Sequence, residues 1–451
     1  PTPGTTATPV ATATPVATAA PVASPTATPL AGLNARLHLQ SGFYGNTIAS
    51  TIPLPRQLVA LPNGDLLVGS KATRGSYDNS GPCSACSSTV YLIPNAESTL
   101  AAGTPVAFAT GPDAEAQGIA YSPISNSIYI ATTFGVWSVP YHTGDQKASA
   151  APIEIVHVRT GSIAPNSDGD VHSTTSVTVS GSNLFIGVGS SCNRCAETDA
   201  TRAVVLKTDL SGANMTTVAT RIRNAIALAT NPTSGNVWVG GAGQDCVVPT
   251  IATSCGGQSD AYKTDGHPYE YMDPVTLHGS STADYGWPNC EEDHTEYVSP
   301  AVDCSKTVVP LIESPAYSTI IGAAFYPPGA SGSYAFPASY AGGLFMAFHG
   351  SWHEGSNGIQ VAVPNVVFVP MSGDAPKTAF NWSTPNPTSQ WSVFLTSYQD
   401  NSTGTRYGQP TGLAVGPQGS LFVADDYAGV VYRLRPGRAP AGAAHVRRVT
   451  H

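Results

Sequence analysis

Charge is scarce in this chain. Only 11% of its 451 residues are Asp, Glu, Lys or Arg. Long amphipathic helices need those residues on their polar side at helical spacing, so a helical bundle is excluded. The 20 basic residues stand against 29 acidic ones, a formal charge of −9. No basic stripe exists to neutralise phosphates, which excludes nucleic acid as a partner. No apolar run is long enough for a membrane-spanning helix. Glycine (45) and proline (38) are abundant instead. They punctuate short runs of Val, Ile, Phe, Tyr and Thr, the pattern of an all-β protein.

The eight cysteines form four local couples: Cys83 with Cys86, Cys192 with Cys195, Cys246 with Cys255, and Cys290 with Cys304. Close couples of even number suit disulfide-clipped loops in an oxidising compartment. The rival reading is a zinc site shared by the two Cys-x-x-Cys pairs, which lie far apart among Gly and Ser. The chain starts at Pro1 rather than Met. The expectation is a processed, exported protein, extracellular or at a cell surface.

One block recurs six times: an apolar stretch, a Pro/Asn/Gly turn, then an alternating strand. It begins at Leu58, Gly118, Ser176, Ala225, Gly322 and Thr411, with second strands starting near Leu66, Ser127, Asn183, Asn236, Gly343 and Ser420. Six hairpin units predict a six-bladed β-propeller over residues 32–438, followed by a C-terminal extension, 439–451. A β-sandwich is the lesser alternative. The gap between the fourth and fifth copies, rich in Cys and acidic residues, is expected to form loops on one face.

Residues 1–31 form an extended Thr/Pro/Ala-rich tail without charge. All seven of its prolines (Pro1, Pro3, Pro9, Pro15, Pro21, Pro25, Pro29) sit at odd positions. Thr6, Thr8, Val10, Thr12, Thr14, Val16 and Thr18 alternate with Ala and Pro. In an extended strand this parity removes the N–H donors of one edge only and leaves the other free to pair. Such a segment suits a donor strand laid on a neighbouring copy, which would build a fibre or surface layer. Composition alone equally suits a solvated spacer or an O-glycosylated stalk.

Several blocks carry possible chemistry: His172-Ser-Thr, Gly189-Ser-Ser-Cys-Asn-Arg-Cys195, Arg223-Asn224, Tyr285-Gly-Trp-Pro-Asn289, His349-Gly-Ser-Trp352, and Gly408-Gln-Pro-Thr-Gly-Leu-Ala414 with Asp425-Asp426. In this order they resemble the sorbosone/pyranose dehydrogenase branch of the quinoproteins, from about Leu33 to Arg435. Those are six-bladed propellers using pyrroloquinoline quinone (PQQ) and Ca²⁺. The resemblance implies that His172 is the catalytic base. It implies that Arg223, Asn224, Trp352 and Gln409 lie at the cofactor. It implies that Gly286, Trp287 and Pro288 offer backbone carbonyls to Ca²⁺.

The chain departs from that pattern where cations are expected. Thr175 and Gln409 replace arginines, and His353-Glu354 stands where a basic residue is usual. Two lost charge-assisted bonds weaken the hold on a trianionic cofactor unless Lys263 or Arg202 compensates. Structural alternatives stay open: His172 as a channel-lining residue, Arg223 paired with Asp245, Trp287 and Trp352 as packing. The favoured expectation is a self-assembling extracellular subunit. The alternative is a tethered PQQ/Ca²⁺-dependent aldose dehydrogenase, and a third reading is a sugar- or glycan-binding propeller.

Overall fold

The computed structural model describes residues 32–74, 86–98, 102–111, 113–159, 172–245, 268–279, 281–294, 303–351, 360 and 362–437. The tail residues Thr6 to Thr18, and Cys83, Cys246, Cys255, Lys263 and Trp352, lie outside the described residues.

The chain is a six-bladed β-propeller. Six sheets, each built on four antiparallel strands, are arranged in a ring. The inner strands are Pro55–Ala60, Gly118–Ser122, Thr175–Ser180, Ala225–Thr230, Ile320–Phe325 and Pro410–Val415. Each touches the next, and the sixth touches the first. Together they enclose a central channel of about 270 Å³. All six recurring blocks fall on inner strands, and their partners form the second strands.

Burial explains why this hairpin was the visible repeat. The second strand Leu66–Ser70 is buried at every position, as is Leu344–Phe348. Such strands are covered on both faces by neighbouring blades, so they read as unbroken apolar runs. The cores lie between blades. Tyr129 and Ala131 of blade 2 pack with Val177, Leu184 and Ile186 of blade 3. Turn chemistry sets the hairpins: at Asn63-Gly64, Gly64 takes φ +88 and its N–H bonds Leu61 O at 2.9 Å.

Ring closure uses the N-terminal side of the chain. Phe43–Ala49 pairs antiparallel with Val430–Pro436 and completes blade 6. Phe43 then packs on Phe336 and Phe394 of blade 5 at 4.6 and 4.9 Å. The first described residues continue outward on the same blade: Gly32 bridges Asn46, and Leu33 N–H bonds Gly45 O at 3.0 Å.

The gap after the fourth copy is more than loops. It supplies the two outer strands of blade 4, Glu270–Pro274 and Ile312–Ser314. It also supplies Ala283–Asp284, which pairs parallel with the outer strand of blade 3. These strands are short and rich in acidic residues, so no apolar alternation announces them. The Cys192–Cys195 and Cys290–Cys304 disulfides are formed, and Cys86 is also disulfide-bonded. Cys192, Cys195 and Glu197 lie close enough to share a metal, but the two sulfurs are bonded to each other and offer no thiolates.

Candidate functional site at the channel mouth

All six inner strands run the same way along the channel, so their first residues gather at one mouth. The ends of the antiparallel second strands arrive there too. His172, Arg223-Asn224, His349, Gln409 and Asp425-Asp426 are brought to this mouth from blades 3, 4, 5 and 6.

His172 precedes the inner strand of blade 3. Its N–H bonds Ser190 O at 3.0 Å, and its Nδ1 lies 2.8 Å from Ser190 Oγ. The Ser190 hydroxyl donates to Cys192 O at 2.7 Å. That proton is therefore committed, and Ser190 Oγ must accept from His172 Nδ1–H. In the neutral ring the lone pair then sits on Nε2. Burial pushes the imidazole well below its usual pKa, and Arg223 and Arg159 add to this against the opposing Asp245. His172 is thus uncharged at neutral pH.

Arg159 was not apparent in the sequence. Its guanidinium donates to the carbonyls of Thr133, His172 and Thr174. It brings a cation to the region where Thr175 leaves none. Arg202 is held near Asp199 at 3.9 Å.

Asn224 meets His172 across Gly189. A Cβ on Gly189 would stand 2.5 Å from His172 Cβ and 2.6 Å from Asn224 Oδ1, so only glycine allows the approach. Asn224 Oδ1 is buried without a hydrogen-bond donor, and so are Gln117 Oε1 and Gln244 Oε1. Arg223 is engaged on three sides: Nε to Asn193 O at 3.2 Å, Nη1 to Gly243 O at 2.7 Å, and Nη2 to Asp245 Oδ2 at 2.9 Å.

A second cluster lies across the mouth. Asp426 accepts from Arg56 Nη1 at 2.7 Å and lies 3.0 Å from His349 Nε2. Burial alone would raise its pKa, but His349 and Arg56 hold it well below the ordinary carboxylate range. Gln409 donates to His349 O at 3.1 Å. Lys71 stands 3.9 Å from Glu115 with 40% of its side chain exposed. Burial and then Arg56 lower its pKa, against Glu115 and Asp426.

The neighbouring Asp425 behaves oppositely. It is fully buried, and its Oδ1 accepts from the N–H groups of Gln409 and Ala428, both at 2.9 Å. Burial raises its pKa to about 7. A carboxyl whose folded pKa is raised stabilises most below its unfolded pKa, and that contribution is lost as pH rises through about 7. Asp425→Asn keeps the Oδ1 acceptor and cannot ionise. The variant is expected to come closest to the parent at or below about pH 4, the ordinary carboxyl range, and to exceed its stability at pH 8 by roughly 1 kcal/mol or more, read from denaturant midpoints at both pH values.

The Tyr-Gly-Trp-Pro loop sits differently from what Ca²⁺ binding would need. Arg221 donates to Gly286 O at 2.5 Å and to Trp287 O at 2.9 Å. Gly286 O also accepts from the N–H groups of Asn289 and Cys290. A guanidinium already occupies these two carbonyls, so they do not fit a metal ion as placed. Pro288 follows a cis Trp287–Pro288 bond. Trp287 is a packing residue: it covers Cys192 and Ala203, and its Nε1–H bonds Asn193 O at 3.0 Å.

No protein-family model matches the chain. An uncharacterised protein of Borreliella burgdorferi is 24% identical over 276 residues, 60% of this chain and 62% of that protein. Solved structures resemble it over nearly their whole length. The PQQ domain of pyranose dehydrogenase from Coprinopsis cinerea, in its holo form, matches at TM-score 0.65 and 16% identity, covering 88% of this chain and 97% of that one. A calcium structure of carbohydrate-active enzyme family AA12 from Trichoderma reesei matches at 0.62 and 18%, covering 91% and 98%. The soluble aldose sugar dehydrogenase of Escherichia coli, in its apo form, matches at 0.53 and 13%, covering 87% and 99%. The chain is therefore similar in fold to the propellers of PQQ-domain pyranose dehydrogenase and soluble aldose sugar dehydrogenase.

Proposed function

We propose that this chain oxidises a sugar hydroxyl at the channel mouth, with PQQ as electron acceptor and His172 as base. The observation that carries the reading is the state of His172: half-buried, neutral, and with its Nδ1 proton committed to Ser190. Such a ring presents Nε2 as a proton acceptor over the whole physiological range. The substrate O–H proton passes to Nε2 as the C–H hydrogen leaves with two electrons.

The buried oxygens of Asn224, Gln117 and Gln244 lack donors, and the hydroxyls of a pyranose are donors. That favours a polyol over a purely anionic substrate. Lys71 and the Arg223-Asn224 pair are the groups here that suit the carboxylates of PQQ, which when bound supplies the two-electron acceptor. No role is derived for Ca²⁺ at the Tyr-Gly-Trp-Pro loop, where Arg221 stands. The two complete disulfides suit an extracellular, oxidising setting. Among the described residues no helix is long and apolar enough to cross a membrane.

Calorimetric titration of PQQ into the purified chain tests this reading. Saturable binding is expected. Absence of binding at about tens of micromolar would overturn it and leave the assembly reading, which stands on the proline parity of residues 1–31. Light scattering with and without those residues would then decide between a self-associating tail and a spacer.

A further inference from the structure

The Cys192–Cys195 disulfide has one buried end and one reachable end. Cys192 is 0% exposed, whereas Cys195 is half-buried. Cys195 lines a cavity of about 350 Å³, and Cys192 does not. The exposed residues Ala196 and Ala200 line it too, so it opens to solvent. The Cys290–Cys304 disulfide is placed otherwise. Its cysteines are 4% and 3% exposed, and the cavity that Cys290 lines measures about 30 Å³, room for a water but not for a thiol.

The turn that Cys192 and Cys195 close carries contacts of the candidate site. Cys192 O accepts from the Ser190 hydroxyl at 2.7 Å, and Ser190 Oγ lies 2.8 Å from His172 Nδ1. Asn193 O accepts from Arg223 Nε at 3.2 Å and from Trp287 Nε1 at 3.0 Å. The two cysteines are 3 apart in sequence, so their closure constrains little of the unfolded chain. Opening it loosens this turn without unfolding the propeller.

Thiol–disulfide exchange requires a thiolate that reaches one sulfur while the other leaves. The cavity has the volume to admit a small molecule of amino-acid size. Arg202 and Arg221 line it and favour the thiolate form of an entering thiol. Glu197 and Asp199 line it as well and balance those two cations. A Glu197 carboxylate oxygen and both sulfurs lie within 4.8 Å of one another, and that carboxylate accepts from the Ser191 N–H and hydroxyl. A lining of two cations and two anions suits a thiol that itself carries both signs of charge.

We propose that Cys195 is a thiol-exchange site for a small zwitterionic aminothiol, and that its modification releases the turn holding Ser190 and Asn193. The entering thiolate sulfur bonds to Cys195 Sγ. The Cys195–Cys192 bond breaks, and Cys192 leaves with the electron pair and takes up the proton that the entering thiol gave up. One disulfide is exchanged for another, so no oxidant or reductant is consumed. The site needs neither quinone nor sugar, so it does not depend on the enzymatic reading.

Incubating the folded full chain with free cysteine, quenching with iodoacetamide and mapping the peptides by mass spectrometry tests it. A cysteinyl group on Cys195 and an alkylated Cys192 are expected, formed at least about tenfold faster than any adduct on Cys290 or Cys304. Tryptophan emission should shift with the same time course, because Trp287 Nε1 is bonded to Asn193 O. Ala200→Trp narrows the cavity and should slow the Cys195 adduct by about tenfold, leaving Cys290 and Cys304 as they were. Ala196→Trp takes its place if Ala200→Trp does not fold. An adduct on Cys192 instead, equal rates at the two disulfides, or a Cys195 rate that no folded rim variant slows overturns the site. An adduct on Cys195 with unchanged emission overturns the release of the turn.

Discussion

His172→Gln is expected to lower dye-coupled sugar oxidation by the PQQ-loaded protein by about 10²–10⁴-fold, with thermal unfolding close to the parent's. The size follows from what the side chain is positioned to do. Ser190 spends its proton on Cys192 O, so it fixes the imidazole tautomer and cannot replace the base. Glutamine can still reach Ser190 but has no basic nitrogen. The pH dependence is a second signature. Burial, Arg223 and Arg159 all favour the neutral ring. The parent's rate should therefore not fall through the usual histidine range near about 6.5 but only at more acidic pH. Ser190→Ala releases the tautomer while keeping the ring. It should reduce the maximal rate by less than His172→Gln, with little change in substrate affinity. Full activity in His172→Gln would remove His172 from the chemistry.

Much of the propeller could be read from the chain because its inner hairpins repeat a local signal, an apolar stretch broken by a Gly- or Asn-containing turn. Leu58–Gly69 and Thr411–Ala424 show it most clearly. The outer strands could not be read this way. Ala283–Asp284 and Ile312–Ser314 are two and three residues long, too short and too polar for alternation to appear. The site divides similarly. His172, Arg223 and Asn224 were reached through resemblance, and they do gather at one mouth. Arg159, Arg56 and Lys71 carry no sequence signal, because their roles arise only when separate blades converge. Arg159 reaches the backbone carbonyls of His172 and Thr174 from just past the end of blade 2's outer strand. The resemblance points to the carbonyls of Gly286, Trp287 and Pro288, and it gives no sign of Arg221, which donates to Gly286 O and Trp287 O from the edge of blade 3. Trp287 and the Arg223–Asp245 pair followed the structural alternatives that the sequence also allowed.

Asp245→Ala is expected to destabilise the protein by about 3–5 kcal/mol, measured as a lower denaturant midpoint at unchanged slope. The Arg223 and Asp245 side chains are 4% and 8% exposed and meet at 2.9 Å. Removing the carboxylate leaves a buried guanidinium without its counter-charge, which costs more than the pair contributes. The loss also spreads, because Asp245 is tied to the disulfide loop. Its N–H bonds Asn193 Oδ1 at 2.9 Å, Asn193 Nδ2 returns a bond to Asp245 O at 3.1 Å, and Asn193 O receives both Arg223 and Trp287. Asp245→Asn keeps an acceptor for Arg223 and gives up only the charge, so about half the loss is expected. The same variant separates the two roles of Arg223. As a cofactor contact, Arg223 is partly neutralised by Asp245, so Asp245→Asn should bind PQQ more tightly even as the fold weakens. As a purely structural residue, it would give the stability loss alone. Opposite signs for cofactor affinity and stability in one substitution would show that this ion pair withholds a cation from the channel mouth.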